Sequence, residues 1–167
     1  MTAPAVCQRP ATVGGVSSGD GWTVCALGHR HWGLFGAAGL LIVRGADVLL
    51  QLRSAHVHNG DTWSIPGGAR HEGESATEAA LRESAEEIGL RPSAVSTGAE
   101  FVDDHGGWSY TTVIALLLTP FETLNNHEST ETAWVASSRV ADLPLHNRFA
   151  HSWPQVADLV TGARLGS

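Results

Sequence analysis

Three glutamates in this chain, Glu83, Glu86 and Glu87, recur at spacings of three and four residues. On an α-helix such residues share one face, so their carboxylates would stand side by side. Like charges placed that way repel by roughly 0.2–0.5 kcal/mol per pair on a bare helix. A hard divalent cation with oxygen ligands offsets that repulsion. Arg82 offers a second counter-charge, and Glu74 could pair with Arg82 in turn. An acidic, solvated helix face is the plain alternative.

The elements around these residues decide between the two. Ser75 to Ile88 is rich in good helix formers and holds neither Pro nor Gly. Gly89 supplies a stop, and Pro92 reinforces it. Thr77, Ala80, Leu81, Ser84 and Ile88 lie toward the other side, most of them fit to pack on a sheet. Gly67 and Gly68 open the segment after Pro66. The whole stretch reads G-x5-E-x7-R-E-x-x-E-E-x-G, with Gly68, Glu74, Arg82, Glu83, Glu86, Glu87 and Gly89 at the fixed positions. It resembles the Nudix box, and the chain resembles the Nudix hydrolase superfamily from about Leu34 to Leu159. One position departs: Ser84 stands where the pattern has an aliphatic residue, at some cost in packing.

The resemblance implies an α/β fold, a Nudix-type α/β/α sandwich with a mixed, largely antiparallel sheet between helices. It also implies hydrolysis of a nucleoside diphosphate linked to another moiety. Cations would neutralise the phosphate oxygens, orient the substrate and lower the pKa of a bound water. Mg²⁺ is the expected ion, with Mn²⁺ as the alternative. By resemblance, Glu86 and Glu87 hold the metal, and Glu83 is ligand or general base. The Gly68 carbonyl is a backbone ligand, and Arg82 with Glu74 orients the helix. Both Glu128 and Glu131 precede Trp134-Val135, where the family places a late acidic residue; Glu128 is the first choice for an extra acidic ligand, and Glu131 the second, because strand alternation would turn it elsewhere. Leu143-Pro144-Leu145-His146, followed by Phe149 and Trp153, is similar to the tail of actinobacterial-type members. Glu86→Gln and Glu87→Gln are expected to cost turnover with little loss of fold, both side chains facing a solvent-filled site.

Arg53, at a strand end, could contact a phosphate. His105, Trp108 and Tyr110 could stack on or hydrogen-bond a base, and Phe35 is a further rim candidate. The proline of many ADP-ribose hydrolases, some fifteen residues after the box, is replaced here by Asp104-His105-Gly106. L-L-Q-L-R-S before the box begins like a coenzyme A subgroup motif but loses its spacing at His58. The resemblance implies a nucleotide substrate, with an oxidised nucleoside triphosphate or an ADP-ribose-like nucleotide favoured. A non-nucleotide diphosphate, such as an isoprenoid diphosphate, is one alternative. A non-catalytic nucleotide-sensing domain is another, although such domains usually lose the glutamates that remain here.

At 167 residues, length suits one domain. A formal net charge of -7 argues against a nucleic-acid polymer as partner. No apolar run reaches a membrane span, and no signal peptide opens the chain, so a cytoplasmic protein is expected. A small-molecule diphosphate is the expected partner, with a homodimer as a further expectation. Residues 1–21 lack periodicity and suit a flexible tail, followed by one domain over residues 22–163. Within it, residues 22–33 form an extension expected as a short strand and turn. Cys25, His29 and His31 lie there in C-x3-H-x-H spacing, which matches no closed four-ligand zinc pattern. They read as structural or substrate-rim residues. Strands are expected at Leu34–Val43, Val48–Arg53, Ala94–Asp103, Trp108–Leu118 and Glu131–Ala136. A last helix is expected from His151 to Ala163, with Ser152 as N-cap and Pro154 in its first turn.

Overall fold

Along one buried strand, Ala38, Leu40 and Ile42 alternate with Leu41 and Val43, and the two sets feed two separate cores. Successive side chains of a strand point to opposite faces, so this strand is apolar throughout because both its faces are covered. The computed structural model describes residues 17–56, 60–124 and 129–165. Residues 1–16 of the expected tail, the His58 and Asn59 loop positions, and Glu128 lie outside them.

The described chain forms β1 (Trp22–Val24), β2 (Arg30–Trp32), β3 (Ala37–Arg44), β4 (Asp47–Arg53), β5 (Trp63–Ser64) and β6 (Gly67–Ala69). Helix α1 (Ala76–Ile88), β7 (Val95–Asp104), β8 (Ser109–Leu117), β9 (Ser129–Ala136) and α2 (Asn147–Leu165) follow. The main sheet runs β5-β4-β3-β8-β7, with β6 on β3 and β9 on β4. It is mixed: β3 and β8 pair in parallel from Ala37↔Tyr110 to Val43↔Leu116, and the other pairings are antiparallel. β1 and β2 form a separate two-stranded ribbon, in register Trp22↔Trp32.

The expected hairpin between β3 and β4 exists but splays almost at once. Its register covers only Val43↔Val48 and Arg44↔Asp47. Beyond that, β3 takes β6 as its neighbour, and β4 takes β5 and β9. α1 packs Ala79, Ala80 and Ile88 into the core with Ala38, Leu40 and Ile42. α2 packs Phe149, Trp153, Val156 and Val160 with Leu41, Val43, Val48 and Leu50. Helices therefore lie on both sides of the sheet, as the sandwich requires.

α2 begins at Asn147, earlier than expected, and Pro154 lies inside it rather than in its first turn. Phe149 and Trp153, four residues apart and both buried, extend the apolar stripe N-terminally. Proline cannot donate the backbone hydrogen bond of its position. Ser152, expected as the cap, instead donates its hydroxyl to the Arg148 and Phe149 carbonyls at 3.2 and 3.3 Å. The expected tail is tied down at its described end. Glu72 N–H donates to the Ser17 carbonyl, and Leu34 N–H to that of Gly19.

Candidate active site on the first helix

α1 is fixed at both ends by local chemistry. Ser75 and Glu78 form a capping box: the Ser75 hydroxyl accepts from Glu78 N–H at 3.2 Å, and the Glu78 carboxylate from Ser75 N–H at 2.9 Å. Gly89 ends the helix in the left-handed region at φ 70°, its N–H returned to the Ala85 carbonyl. Ser84 is fully buried, and its hydroxyl donates to the Ala80 carbonyl at 2.7 Å. The helix's own backbone thus satisfies the polar group that replaces an aliphatic one.

Arg82 ties the preceding loop to this helix. Its Nε and Nη2 donate to the two Glu74 oxygens at 2.8 and 3.0 Å, and Nη2 also donates to the Ala69 carbonyl at 2.9 Å. Its Nη1 reaches Glu83 Oε1 at 2.6 Å and lies 3.7 Å from Glu86. The Arg82 fork, with the His71 amide, holds the Glu74 carboxyl below its usual range.

The three box carboxylates take three different settings. Glu83 is 16% exposed, and its carboxylate lies against the Gly68 backbone, where an added Cβ would sit 2.6 Å from it. Glu86 is 61% exposed. Glu87 is 6% exposed and accepts from Gln51 Nε2 at 2.8 Å and Gly67 N–H at 3.1 Å. Glu87 therefore does not face open solvent as expected. The reason is its place on the stripe Ala80, Ser84, Glu87, Ile88, all buried. The donor set at this spot, carboxylates beside a glycine turn with no nitrogen or sulfur ligand, fits a hard cation.

Glu83 and Glu87 line a cleft of about 690 Å³ together with Gly67 and Gly68. Of the other expected residues, Arg53, Trp108 and Tyr110 also line it. Burial, with the Glu87 carboxylate nearby, pushes the Tyr110 phenol well above its usual range, so it stays protonated. Its oxygen lies 2.2 Å from where a Cβ on residue 39 would fall, so only glycine fits there. Trp108 is committed to packing: His31 stacks on it at 3.9 Å, and its indole N–H donates to the Gly33 carbonyl at 2.9 Å. His105 is not on the cleft wall. It is buried, with its Nε2 3.1 Å from Asp103 and its ring 4.7 Å from that of His31. Phe35 and Glu131 are exposed and also off the wall.

Several lining residues carry no local signal of it. Trp22, Arg30 and Trp32 come from the ribbon, and His146, Arg148 and Phe149 from the start of α2. Trp22 and Trp32 meet edge to face at 5.4 Å, both substantially exposed, and the Arg30 guanidinium lies 4.6 Å over the Trp22 ring. Two exposed tryptophans paired on a cleft are unusual enough to serve as a sequence signal, but only once their register is known.

The sheet, the box and the cleft are those of a Nudix hydrolase fold, and comparison with known proteins agrees. The family model described as NUDIX domain matches residues 34–157, and the chain belongs to this family. It is 44% identical over 149 residues to "Putative 8-oxo-dGTP diphosphatase 3" of Mycobacterium tuberculosis, covering 83% of this chain and 69% of that protein. It is 41% identical over 150 residues to a "Nucleoside triphosphate pyrophosphatase/Nudix hydrolase fusion protein" of Bifidobacterium longum, of which it covers 31%. Among solved structures, a Nudix hydrolase from M. smegmatis, RenU, superposes with a TM-score of 0.79 at 40% identity. That match spans 86% of this chain and 96% of the other.

Proposed function

We propose that this Nudix hydrolase is a Mg²⁺-dependent pyrophosphohydrolase of oxidised nucleoside triphosphates, cutting the chain between the α and β phosphates. The observation that carries the reading is the cleft itself. Carboxylates and a glycine turn, arginines and two exposed tryptophans line the same cleft. The similarity to a protein named as an 8-oxo-dGTP diphosphatase supports the same substrate class.

Glu83, Glu87 and the Gly68 carbonyl would hold the ion, with Glu86 joining by a change of rotamer. Glu128, outside the described residues, would supply an acidic ligand from beyond the helix. When bound, Mg²⁺ screens the phosphate oxygens and lowers the pKa of the attacking water. Arg82 orients Glu83, while Gln51 and Gly67 fix Glu87. Arg53 and Arg148 are the cations on the wall that would meet phosphate oxygens. Trp22 and Trp32 would take the base.

The test is a panel of 8-oxo-dGTP, dGTP, ADP-ribose and an isoprenoid diphosphate with Mg²⁺, with the products identified by chromatography. Nucleoside monophosphate and pyrophosphate released fastest from 8-oxo-dGTP is the expected result. Preference for ADP-ribose or the isoprenoid would replace the substrate assignment. Tight nucleotide binding without turnover would replace hydrolysis by sensing.

A further inference from the structure

Away from the box carboxylates, the fold completes a ligand set that the sequence leaves at three. The Sγ of Cys25 and one ring nitrogen each of His29, His31 and His105 lie within 4.8 Å of one another. Three of them come from the ribbon and its turn, and His105 from the β7–β8 connection. We propose that these four residues form a closed structural Zn²⁺ site that fastens the β1–β2 ribbon to the main domain.

The buried nitrogens point to a ligand. His31 and His105 are each 6% exposed, and neither His31 Nε2 nor His105 Nδ1 has a hydrogen-bond partner among the described residues. An unsatisfied buried polar atom is costly, and two in one cluster call for a common partner. The two tautomers of His105 ask different things of that partner. The His105 Nε2 stands 3.1 Å from Asp103 Oδ2 and 3.2 Å from Arg148 Nη1. With the proton on Nε2, the ring donates to Asp103, and the buried Nδ1 keeps a lone pair for a cation. With the proton on Nδ1, Nε2 accepts from Arg148, and an N–H is buried without an acceptor. A cation on Nδ1 selects the first form, and Asp103 then completes a carboxylate–histidine–metal relay.

The donor set selects the ion. One thiolate and three imidazoles suit tetrahedral Zn²⁺, with ligand atoms roughly 3.3–3.6 Å apart from bonds of about 2.0–2.3 Å. The observed spread, up to 4.8 Å, exceeds that by a margin that small side-chain rotations would close, with His29 the one exposed member. The backbone is already shaped for it. Cys25 N–H donates to the His29 carbonyl at 3.0 Å, and Gly28 N–H to that of Cys25 at 2.9 Å. Ala26 N–H donates to the Gly106 carbonyl at 2.8 Å, joining the turn to the hairpin that carries His105. The ribbon needs such a fastening: it has three residues per strand and pairs with no strand of the main sheet. Isolated two-stranded ribbons are marginal in water. Through Trp22 and Trp32, this zinc would hold one wall of the cleft in place.

The test uses the full chain and does not depend on turnover, so it stands or falls apart from the substrate assignment. Metal analysis of the purified protein should give one zinc per chain. Exchange for Co²⁺ should give a thiolate-to-cobalt charge-transfer band and the visible bands of a tetrahedral ion. Cys25→Ser should abolish the charge-transfer band. His29→Ala, at the one exposed ligand position, should release zinc to a chelating dye at a concentration at least roughly 100-fold lower. Protein that holds no zinc after dialysis against it overturns the proposal. So does a cobalt spectrum unchanged in Cys25→Ser, or zinc release unchanged in His29→Ala.

Discussion

Arg82 grips the Glu74 carboxylate through two parallel hydrogen bonds, 2.8 and 3.0 Å long, across the loop that leads into α1. The pair anchors the glycine turn to the helix and leaves the remaining Arg82 nitrogen for Glu83. Glu74 has a folded pKa below its ordinary 4.5, with Arg82 as the main cause. A depressed carboxylate adds stability above its unfolded pKa, and that stability disappears as pH falls through the folded one. Glu74→Gln should therefore cost roughly 1–3 kcal/mol at neutral pH, and the gap to wild type should close in acid. Urea midpoints at neutral pH and well below 4.5 measure this. A gap that does not change with pH would show that the pair's charge is not what matters.

Glu87 and Glu86 should separate under mutation although they are adjacent. Both substitutions to Gln should lower turnover, each on the order of 10²-fold, if both reach the cation. Their stabilities should differ once the side chain is truncated. Glu87→Ala strands the Gln51 amide and Gly67 N–H, at about 1–3 kcal/mol, whereas Glu86→Ala removes only an exposed side chain and its 3.7 Å ion pair with Arg82. Melting curves beside steady-state rates decide the matter. Equal melting temperatures for the two alanine variants would contradict the burial of Glu87.

Gly68 tests the close approach of Glu83. A methyl group there would lie 2.6 Å from the carboxylate, inside any tolerated contact. Gly68→Ala should push Glu83 off its position, costing about 1–3 kcal/mol of stability and most of the activity. Adding Glu83→Asp withdraws the carboxylate by one methylene, so the double variant should regain stability while remaining inactive. If it fails to regain stability, the clash lies elsewhere.

Those residues show where the sequence speaks and where it stops. α1 is legible because its determinants are local: Ser75 caps it, Gly89 ends it, and Glu83, Glu86 and Glu87 share a face by spacing alone. The burial of Glu87 was also within reach, since Ala80, Ser84, Glu87 and Ile88 follow the period of an inward stripe. The splay of β3 from β4 was not, because it depends on β6, β8 and β9 competing for the same edges. The meeting of His105 with His29 and His31 was hidden for the same reason, being set by a hairpin far along the chain. Aromatic content suggested Trp108 as a base contact, yet packing on His31 and the Gly33 carbonyl claims it. Trp22 and Trp32 reach the cleft only because the ribbon folds back onto it.

The ribbon tryptophans give the last prediction. Stacking of a base on an aromatic side chain is worth about 1–3 kcal/mol by alanine substitution. Trp22→Ala and Trp32→Ala should therefore raise KM for a nucleoside triphosphate by roughly 5- to 150-fold, with a smaller effect on kcat. A base-free control distinguishes stacking from general damage: ribose 5-triphosphate has the phosphates but nothing to stack. Wild type should already turn it over with a high KM, and the two variants should leave that KM nearly unchanged. Arg30 lies over the Trp22 ring, so Arg30→Ala should fall between the two, removing the stack's support but not its surface. Loss of activity on both substrates alike would assign the tryptophans to holding the cleft wall instead of reading the base.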